Sequence, residues 1–327
     1  MVQAESEIRE VHVAVGVIVR QGRVLIARRP AHIHQGGLLE FPGGKVEPDE
    51  TVQAALAREI AEETGLRIPV GSLRPVIGIR HDYGDKRVFL DVWRTDQAEG
   101  EAHGREGQPI EWVRPESLRD EDFPVANRPI IRALQLPCLL AITGEFRSDD
   151  TPEQLLNRAL VNMSKHGRSA LIVLRAPALD AESYAALAET ALDECEAAGV
   201  GLVVHGSPSA FDDTPDAAGL HLPWREAQNL SARPVPDGVW LGVSCHSARE
   251  IDHAVAIGAD YATLGPVKPT ETHPGSPSLG WPAFRDLVAS ASIPVFCLGG
   301  LQPGDLDEAW QAGAQGLAGI GYWWPQV

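Results

Sequence analysis

Three glutamates, Glu59, Glu62 and Glu63, stand at offsets of three and four within Arg58-Glu59-Ile60-Ala61-Glu62-Glu63-Thr64-Gly65. On a helix this spacing stacks the carboxylates on one face. Like charges held so close repel, which leaves two readings: a solvated acidic face, or a seat for a cation. Hard divalent ions take oxygen ligands, and magnesium is held by a few carboxylates together with substrate phosphates. Gly43-Gly44, ahead of the helix, lets the backbone approach a ligand closely, and Gly65 falls where a C-capping glycine belongs. The flanks favour the cation seat. Its natural chemistry is attack on a polyphosphate, where an ion neutralises charge and activates water.

The elements around these residues follow from pattern. Val11–Val19 is a β-branched strand, Gln21-Gly22 a turn and Val24–Ala27 its hairpin partner. The helix is expected over about residues 51–64, with Asp49-Glu50 at its start as the helix dipole favours. Further strands are expected at Val76–Ile79, Val88–Trp93 and Ile110–Val113, and a helix near Pro129–Leu136. Beyond Pro137 the rhythm changes to short apolar strands alternating with Ala-rich helices. Strand candidates are Cys138–Ile142, Ala170–Leu174, Gly201–Val204, Gly219–Leu222, Trp240–Val243, Tyr261–Leu264, Val295–Leu298 and Gly316–Ile320. Eight such strands suggest a (β/α)8 barrel. Two domains are expected, 1–136 and 137–327, each long enough to bury a core.

The run Gly44, Glu50, Arg58-Glu59-Ile60, Glu62-Glu63, Gly65-Leu66 matches the Nudix box in type and spacing. The resemblance extends over about residues 9–136 to the MutT type of Nudix hydrolase. Ala14–Val19, Arg28-Arg29, Leu39–Lys45, Glu106–Pro109 with Glu111-Trp112, and Asp122–Asn127 carry it. It implies an α/β/α sandwich and a magnesium (or manganese) dependent pyrophosphohydrolase that turns 8-oxo-dGTP into monophosphate and diphosphate, a nucleotide-pool and DNA-repair activity. It also implies that the Gly43 carbonyl and Glu106 join Glu59, Glu62 and Glu63 around the metal. Arg58 and Glu50 would orient the helix and its carboxylates, and Lys45 would meet a phosphate. Asn127, which donates and accepts at once, would read the O6/N7 edge of a guanine-like base, with Arg29 and Phe41 lining the nucleotide. Each has a plainer reading: Glu106 solvated in a loop, Asn127 turning the chain before Pro129, Arg29 a surface charge and Phe41 core.

Residues 138–324 resemble the thiamine phosphate synthase and TenI barrels through Gly219–Leu222, Leu241–Ser247, Gly258–Tyr261, Leu264–Val267, Pro269–Gly275, Leu298–Gly300 and Gly313-Ala314. Gly299-Gly300 and Gly319–Gly321 stand where such barrels cup phosphate, and Thr270 and Thr272 add hydroxyls. A phosphorylated thiamine-type ligand is implied. The catalytic sets are incomplete, however. His205-Gly206 replaces a metal-binding Asn-Asp, Arg175-Ala176-Pro177 has lost a lysine, His273 replaces another, and Pro266 stands in place of the tautomerase histidine. His205, His221, His246 and His273 fall at strand ends, as an acid/base cluster or as structural residues. The barrel is therefore an altered enzyme, a thiamine-pathway partner to a Nudix half that removes a pyrophosphate compound, or a sensor or docking module.

The net charge is −17. Residues 1–136 hold 18 Lys and Arg against 22 Asp and Glu, and residues 137–327 hold 10 against 23. Such acidity argues against a nucleic-acid polymer as partner, but a small polyphosphate screened by metal remains compatible. No apolar run is long enough to span a bilayer, the polar N-terminus is unlike a signal, and Cys138, Cys195, Cys245 and Cys297 lack disulfide or zinc spacing. A cytoplasmic protein is expected.

Overall fold

Strand β1 (Glu10–Arg20) alternates its apolar side chains between two faces, with Ala14 and Ile18 on one and Val15 and Val17 on the other. A strand apolar on both faces needs a layer on each, and the first unit supplies both. The structure is a computed structural model that describes residues 10–32, 35–84, 86–146, 151–164, 171–270 and 277–324. The chain divides after Gln135 into two compact units.

In the first unit β1 turns through Gln21-Gly22, both at positive φ, into β2 (Arg23–Arg28). The chain continues through β3 (Leu39–Glu40), β4 (Gly43–Lys45), helix α1 (Val52–Thr64), β5 (Arg74–Asp82), β6 (Arg87–Thr95), β7 (Ile110–Val113) and α2 (Arg128–Gln135). Strands β3-β2-β1-β6-β5 form the sheet in that order, with β4 on β1 and β7 on β2. The β1–β6 pair is parallel, and the other pairs are antiparallel. Leu56 and Ile60 of α1 pack with Ala14, Ile18 and Leu25, while Ile130 and Ile131 of α2 pack with Val15, Val17 and Ile26 on the other face. The result is an α/β/α sandwich.

Helix α1 begins at Thr51, whose side chain accepts from the Ala54 N–H at 3.2 Å, and ends at Gly65, whose left-handed φ of 76° returns its N–H to Ala61 O. Contrary to the expectation for Asp49-Glu50, the first turn carries no acidic residue. Glu50 instead accepts from the Glu47 N–H at 2.7 Å and pairs with Arg58. A guanidinium in hydrogen-bond contact outweighs a helix dipole open to solvent.

The second unit is a closed parallel barrel of eight strands: β8 (Leu139–Ile142), β9 (Leu171–Leu174), β10 (Gly201–His205), β11 (Gly219–Leu222), β12 (Trp240–Cys245), β13 (Tyr261–Leu264), β14 (Val295–Leu298) and β15 (Gly316–Gly319). Each coincides with an expected strand to within two residues. Leu140, Ile142, Val173, Val203, Tyr261, Phe296 and Ala318 fill the lumen, whereas Leu139, Ile172, Leu202, Val204, Leu241, Val243 and Leu264 face the surrounding helices. Alternation by two divides these sets, as a packed barrel requires. The helices are α3 (Pro152–Ser164), α4 (Ala181–Ala198), α5 (Ser209–Asp212), α6 (Trp224–Ala227), α7 (Ala248–Ala256), α8 (Gly280–Val288) and α9 (Leu306–Gln311). No helix among the described residues is long and apolar enough to cross a membrane.

Candidate active site

In the first unit β4 lies in register with β1, pairing Ala14 with Gly44 and Val15 with Gly43, and so runs beside α1. Arg58 binds the helix to this strand. Its guanidinium donates to Glu50 at 2.7 Å, Glu59 at 2.8 Å, Glu62 at 3.4 Å and the Lys45 carbonyl at 3.3 Å. These bonds raise the Arg58 pKa and lower that of Glu50. Arg58 therefore neutralises part of the acidic face and fixes Glu59 against β4.

Glu63 is set deeper. It accepts from the Gly43 N–H at 3.1 Å, yet its carboxyl is pushed up to about 7, first by burial and further by the charges of Glu40, Glu106 and Glu59. The loop that carries Glu106 is tied to the end of α1. Backbone N–H groups of His103 and Arg105 donate to Thr64 O and Glu63 O, Gln108 Nε2 donates to Glu63 O, and Gln108 Oε1 accepts from the Glu106 N–H. This strap brings a glutamate from 43 positions along the chain into the electrostatic field of Glu63.

Glu40 was not among the residues singled out from the sequence. It pairs with Arg29, and burial raises its carboxyl despite that partner. Its signal was its place in Leu39-Glu40-Phe41-Pro42-Gly43, just ahead of the glycines. Among the described residues no three Asp, Glu, His or Cys side chains form a ready metal cage. Arg58 holds Glu59 and Glu62 toward itself, and the Glu62 side chain is 58% exposed. The donor chemistry still fits a hard divalent cation: carboxylates, a backbone carbonyl, and a half-buried Glu63 whose like-charged neighbours a cation would relieve.

The residues expected at the nucleotide are spread around the sheet. Arg29 is engaged by Glu40. Phe41 is buried and stacks on Phe123 at 5.4 Å, which fits its core reading. Lys45 is exposed at the end of β4. Asn127 is half-buried at the end of a 3-10 turn, Val125–Asn127, just before α2. Its N–H donates to Pro124 O, while its side-chain amide has no hydrogen bond to another described residue.

In the barrel Gly299 and Gly300 follow β14 with φ of 97° and 65°. Gly319 ends β15, Gly321 is exposed beyond it, and Thr270 is half-buried. Thr272 and His273 lie outside the described residues. Two of the four histidines meet: His205 ends β10 with its ring stacked on His221 at 5.9 Å. Burial, then the charges of Arg175 and Arg225, lower His205 to about 4, and burial lowers His221 to about 3. His246 stands apart, exposed and bonded to Glu250 at 3.0 Å.

The family described as thiamine monophosphate synthase matches residues 139–322, more than half of the chain, and the NUDIX domain matches residues 14–133. The chain belongs to the thiamine monophosphate synthase family and carries a Nudix domain ahead of it. Over 128 residues the Nudix hydrolase domain is 38% identical to the 8-oxo-dGTP diphosphatase of Escherichia coli K12, covering 39% of this chain and 98% of that protein. Over 123 residues it is 35% identical to the CTP pyrophosphohydrolase of the same organism, covering 38% and 90%. The barrel is 31% identical over 105 residues to the putative thiamine-phosphate synthase 2 of Aquifex aeolicus VF5, covering 32% of this chain and 56% of that protein. The Nudix domain and its likeness to nucleotide pyrophosphohydrolases make the chain a hydrolase.

Proposed function

We propose that the Nudix domain hydrolyses 8-oxo-dGTP and similar oxidised guanine nucleotides to the monophosphate and diphosphate, with magnesium, and manganese as its substitute. The reading rests chiefly on Glu63, half-buried against the Gly43 N–H within the field of Glu40, Glu59 and Glu106. Glu59, Glu62, Glu63, Glu106 and the Gly43 carbonyl would hold the cation. When bound, such an ion offsets phosphate charge and makes water a better nucleophile. Arg58 holds Glu59 in place, and Lys45 reaches a phosphate from the exposed end of β4. Asn127 offers its open amide to the base edge, where a matched donor and acceptor discriminate more strongly than an apolar slot does. Phe41 and Arg29 back that pocket.

The barrel, in this reading, binds a small phosphorylated ligand through Gly299, Gly300, Gly319, Gly321, Thr270 and Thr272 without synthase turnover, since His205-Gly206 offers no carboxylate for metal. Its family membership supports a second reading, in which the Nudix domain removes a thiamine-type pyrophosphate compound. One experiment separates the two. The full chain is assayed with 8-oxo-dGTP, dGTP, CTP and thiamine diphosphate, with magnesium, manganese or chelator. Metal-dependent turnover with preference for 8-oxo-dGTP is expected, read as diphosphate released from the nucleotides and as orthophosphate released from thiamine diphosphate; preference for CTP or thiamine diphosphate, or turnover in chelator, overturns the first reading. Calorimetry with thiamine phosphate on the full chain, with and without Gly300→Ala, tests the barrel, and equal heats from both proteins count against it.

A further inference from the structure

The Asn127 side-chain amide has no hydrogen bond to another described residue, so only its backbone aims it. That backbone ends a run of three 3-10 turns between β7 and α2, Pro115–Ser117, Asp120–Asp122 and Val125–Asn127, none of them with a side-chain cap. Turns this short hold themselves weakly. Two side chains of α2 anchor the run to the helix. Arg132 donates through Nη2 to Asp120 Oδ2 at 2.7 Å and through Nη1 to Gln135 Oε1 at 3.4 Å. Gln135 Nε2 in turn donates to the Pro115 and Leu118 carbonyls, both at 3.1 Å. Phe123 pins the middle of the run by stacking on Phe41. Asn127 therefore lies on a loop, residues 120–132, that the Asp120–Arg132 pair closes.

The pair does little for stability. The Asp120 and Arg132 side chains are 26% and 27% exposed, and Asp120 Oδ1 is buried without a hydrogen-bond partner among the described residues. Desolvating a carboxylate and leaving one of its oxygens unmatched offsets most of its attraction to the guanidinium. Two apolar side chains of similar volume would pack there as well. They would not, however, fix a distance and a direction, as a guanidinium does when it bonds a carboxylate and an amide at once. The contribution of the pair is geometric.

We propose that Asp120, Arg132 and Gln135 are positioning residues that aim the Asn127 amide, and that this clamp sets how well the hydrolase separates 8-oxo-dGTP from dGTP. Asn127 takes the base edge in the reading above, on which this rests. A paired donor and acceptor must meet that edge in line, because hydrogen bonds weaken steeply off axis. With the clamp in place the amide is already aimed; without it, part of the binding energy goes to ordering residues 120–127. The loss falls on the nucleotide whose edge the amide matches and spares the phosphate chemistry at Glu59 and Glu63. No atom of the clamp needs to touch the nucleotide.

The test is steady-state kinetics of the full chain with 8-oxo-dGTP and dGTP in magnesium, beside urea unfolding. The main variant carries Asp120→Leu with Arg132→Met, which removes both charges and keeps apolar volume. Arg132→Lys, which can hold Asp120 but not Gln135 at the same time, is the milder change. In the double variant the urea midpoint should match wild type or rise, while the ratio of kcat/KM for the two nucleotides falls about tenfold, through KM for 8-oxo-dGTP with kcat little changed. Arg132→Lys should lower the ratio about threefold. Added to Asn127→Ala, either change should lower the ratio no further, because a clamp with nothing to aim has no effect on the base. A ratio that falls in Asn127→Ala but not in the clamp variants overturns the proposal alone, as does a loss shared equally by both nucleotides or a full further loss on top of Asn127→Ala. A ratio unchanged in Asn127→Ala rejects the base-reading role itself, and the clamp's function with it.

Discussion

Gly44 lies so close to Glu59 that a Cβ on Gly44 would sit 2.2 Å from the Glu59 carboxyl carbon. The strand pairing and the helix cap bring the two together, and only a residue without a side chain leaves the carboxylate where Arg58 holds it. Gly44→Ala should therefore displace a flexible side-chain end at little cost to folding but lower pyrophosphohydrolase turnover about a hundredfold, as misplacing a catalytic group does. Gly43→Ala should do the opposite kind of damage. Its φ is 148° and its Cβ would meet the Ala14 carbonyl oxygen at 2.1 Å, so a stability loss of about 1–3 kcal/mol is expected. Urea unfolding beside steady-state kinetics separates these effects, and equal stability losses in both variants would contradict the argument.

Glu59→Gln and Glu63→Gln should each reduce turnover by about two orders of magnitude, because each removes an anionic oxygen from the cation site. Magnesium titration by calorimetry should show weaker binding in both. Unchanged metal affinity would remove these residues from the site.

Arg58→Lys keeps the charge but cannot bridge Glu50, Glu59 and the Lys45 carbonyl at once. Turnover should fall about tenfold with little change in KM, since the lost bonds position a carboxylate and touch no substrate. A change confined to KM would place Arg58 on the phosphates instead.

Much of this site was legible in the sequence. Offsets of three and four in Glu59, Glu62 and Glu63, with Gly65 behind them, define a helix face and its end without tertiary information, and short apolar runs between Ala-rich stretches located all eight barrel strands. What escaped depends on chain return. Glu40 meets Arg29 only because β3 folds back on β2, whereas Glu106, expected at the site from the Nudix resemblance, enters the field of Glu63 through the strap of residues 103–108. The contacts of His221 with Tyr261 and Ser244 depend on cross-strand register, which no local pattern encodes. Asp49-Glu50 departs from the general dipole preference because Glu50 has a specific partner, Arg58, eight residues on.

Asn127→Ala should cost about 1–3 kcal/mol of discrimination between 8-oxo-dGTP and dGTP, through loss of a paired donor and acceptor. The ratio of kcat/KM for the two nucleotides measures it. Equal losses on both would make Asn127 a turn residue.

Acid should destabilise the barrel through its histidines. His205 and His221 fall from 6.5 in the free side chain to about 4 and about 3 in the fold. As pH drops below about 6.5 the unfolded chain takes up protons that the folded chain refuses, so stability falls until the folded rings titrate in turn. His205 alone accounts for roughly 3 kcal/mol by this linkage. Unfolding of the full chain from pH 7 to 4 should steepen through this window, and His205→Gln should flatten it; an unchanged slope would show that His205 does not titrate differently in the two states.

The pairing of β8 with β15, Leu139 opposite Leu317 and Ala141 opposite Gly319, also governs the order of events during synthesis. Until Gly316–Gly319 has emerged, β8 and β14 are unpaired edges flanking a nearly complete parallel sheet, and such edges invite pairing with other chains. The first unit has all of its strands and both helices by Gln135, so its fold need not wait. A chain stalled between Leu298 and Gly316 carries a finished hydrolase domain tethered to an open, adhesive sheet of seven strands. The last strand is thus the one whose delay most exposes the nascent protein to aggregation.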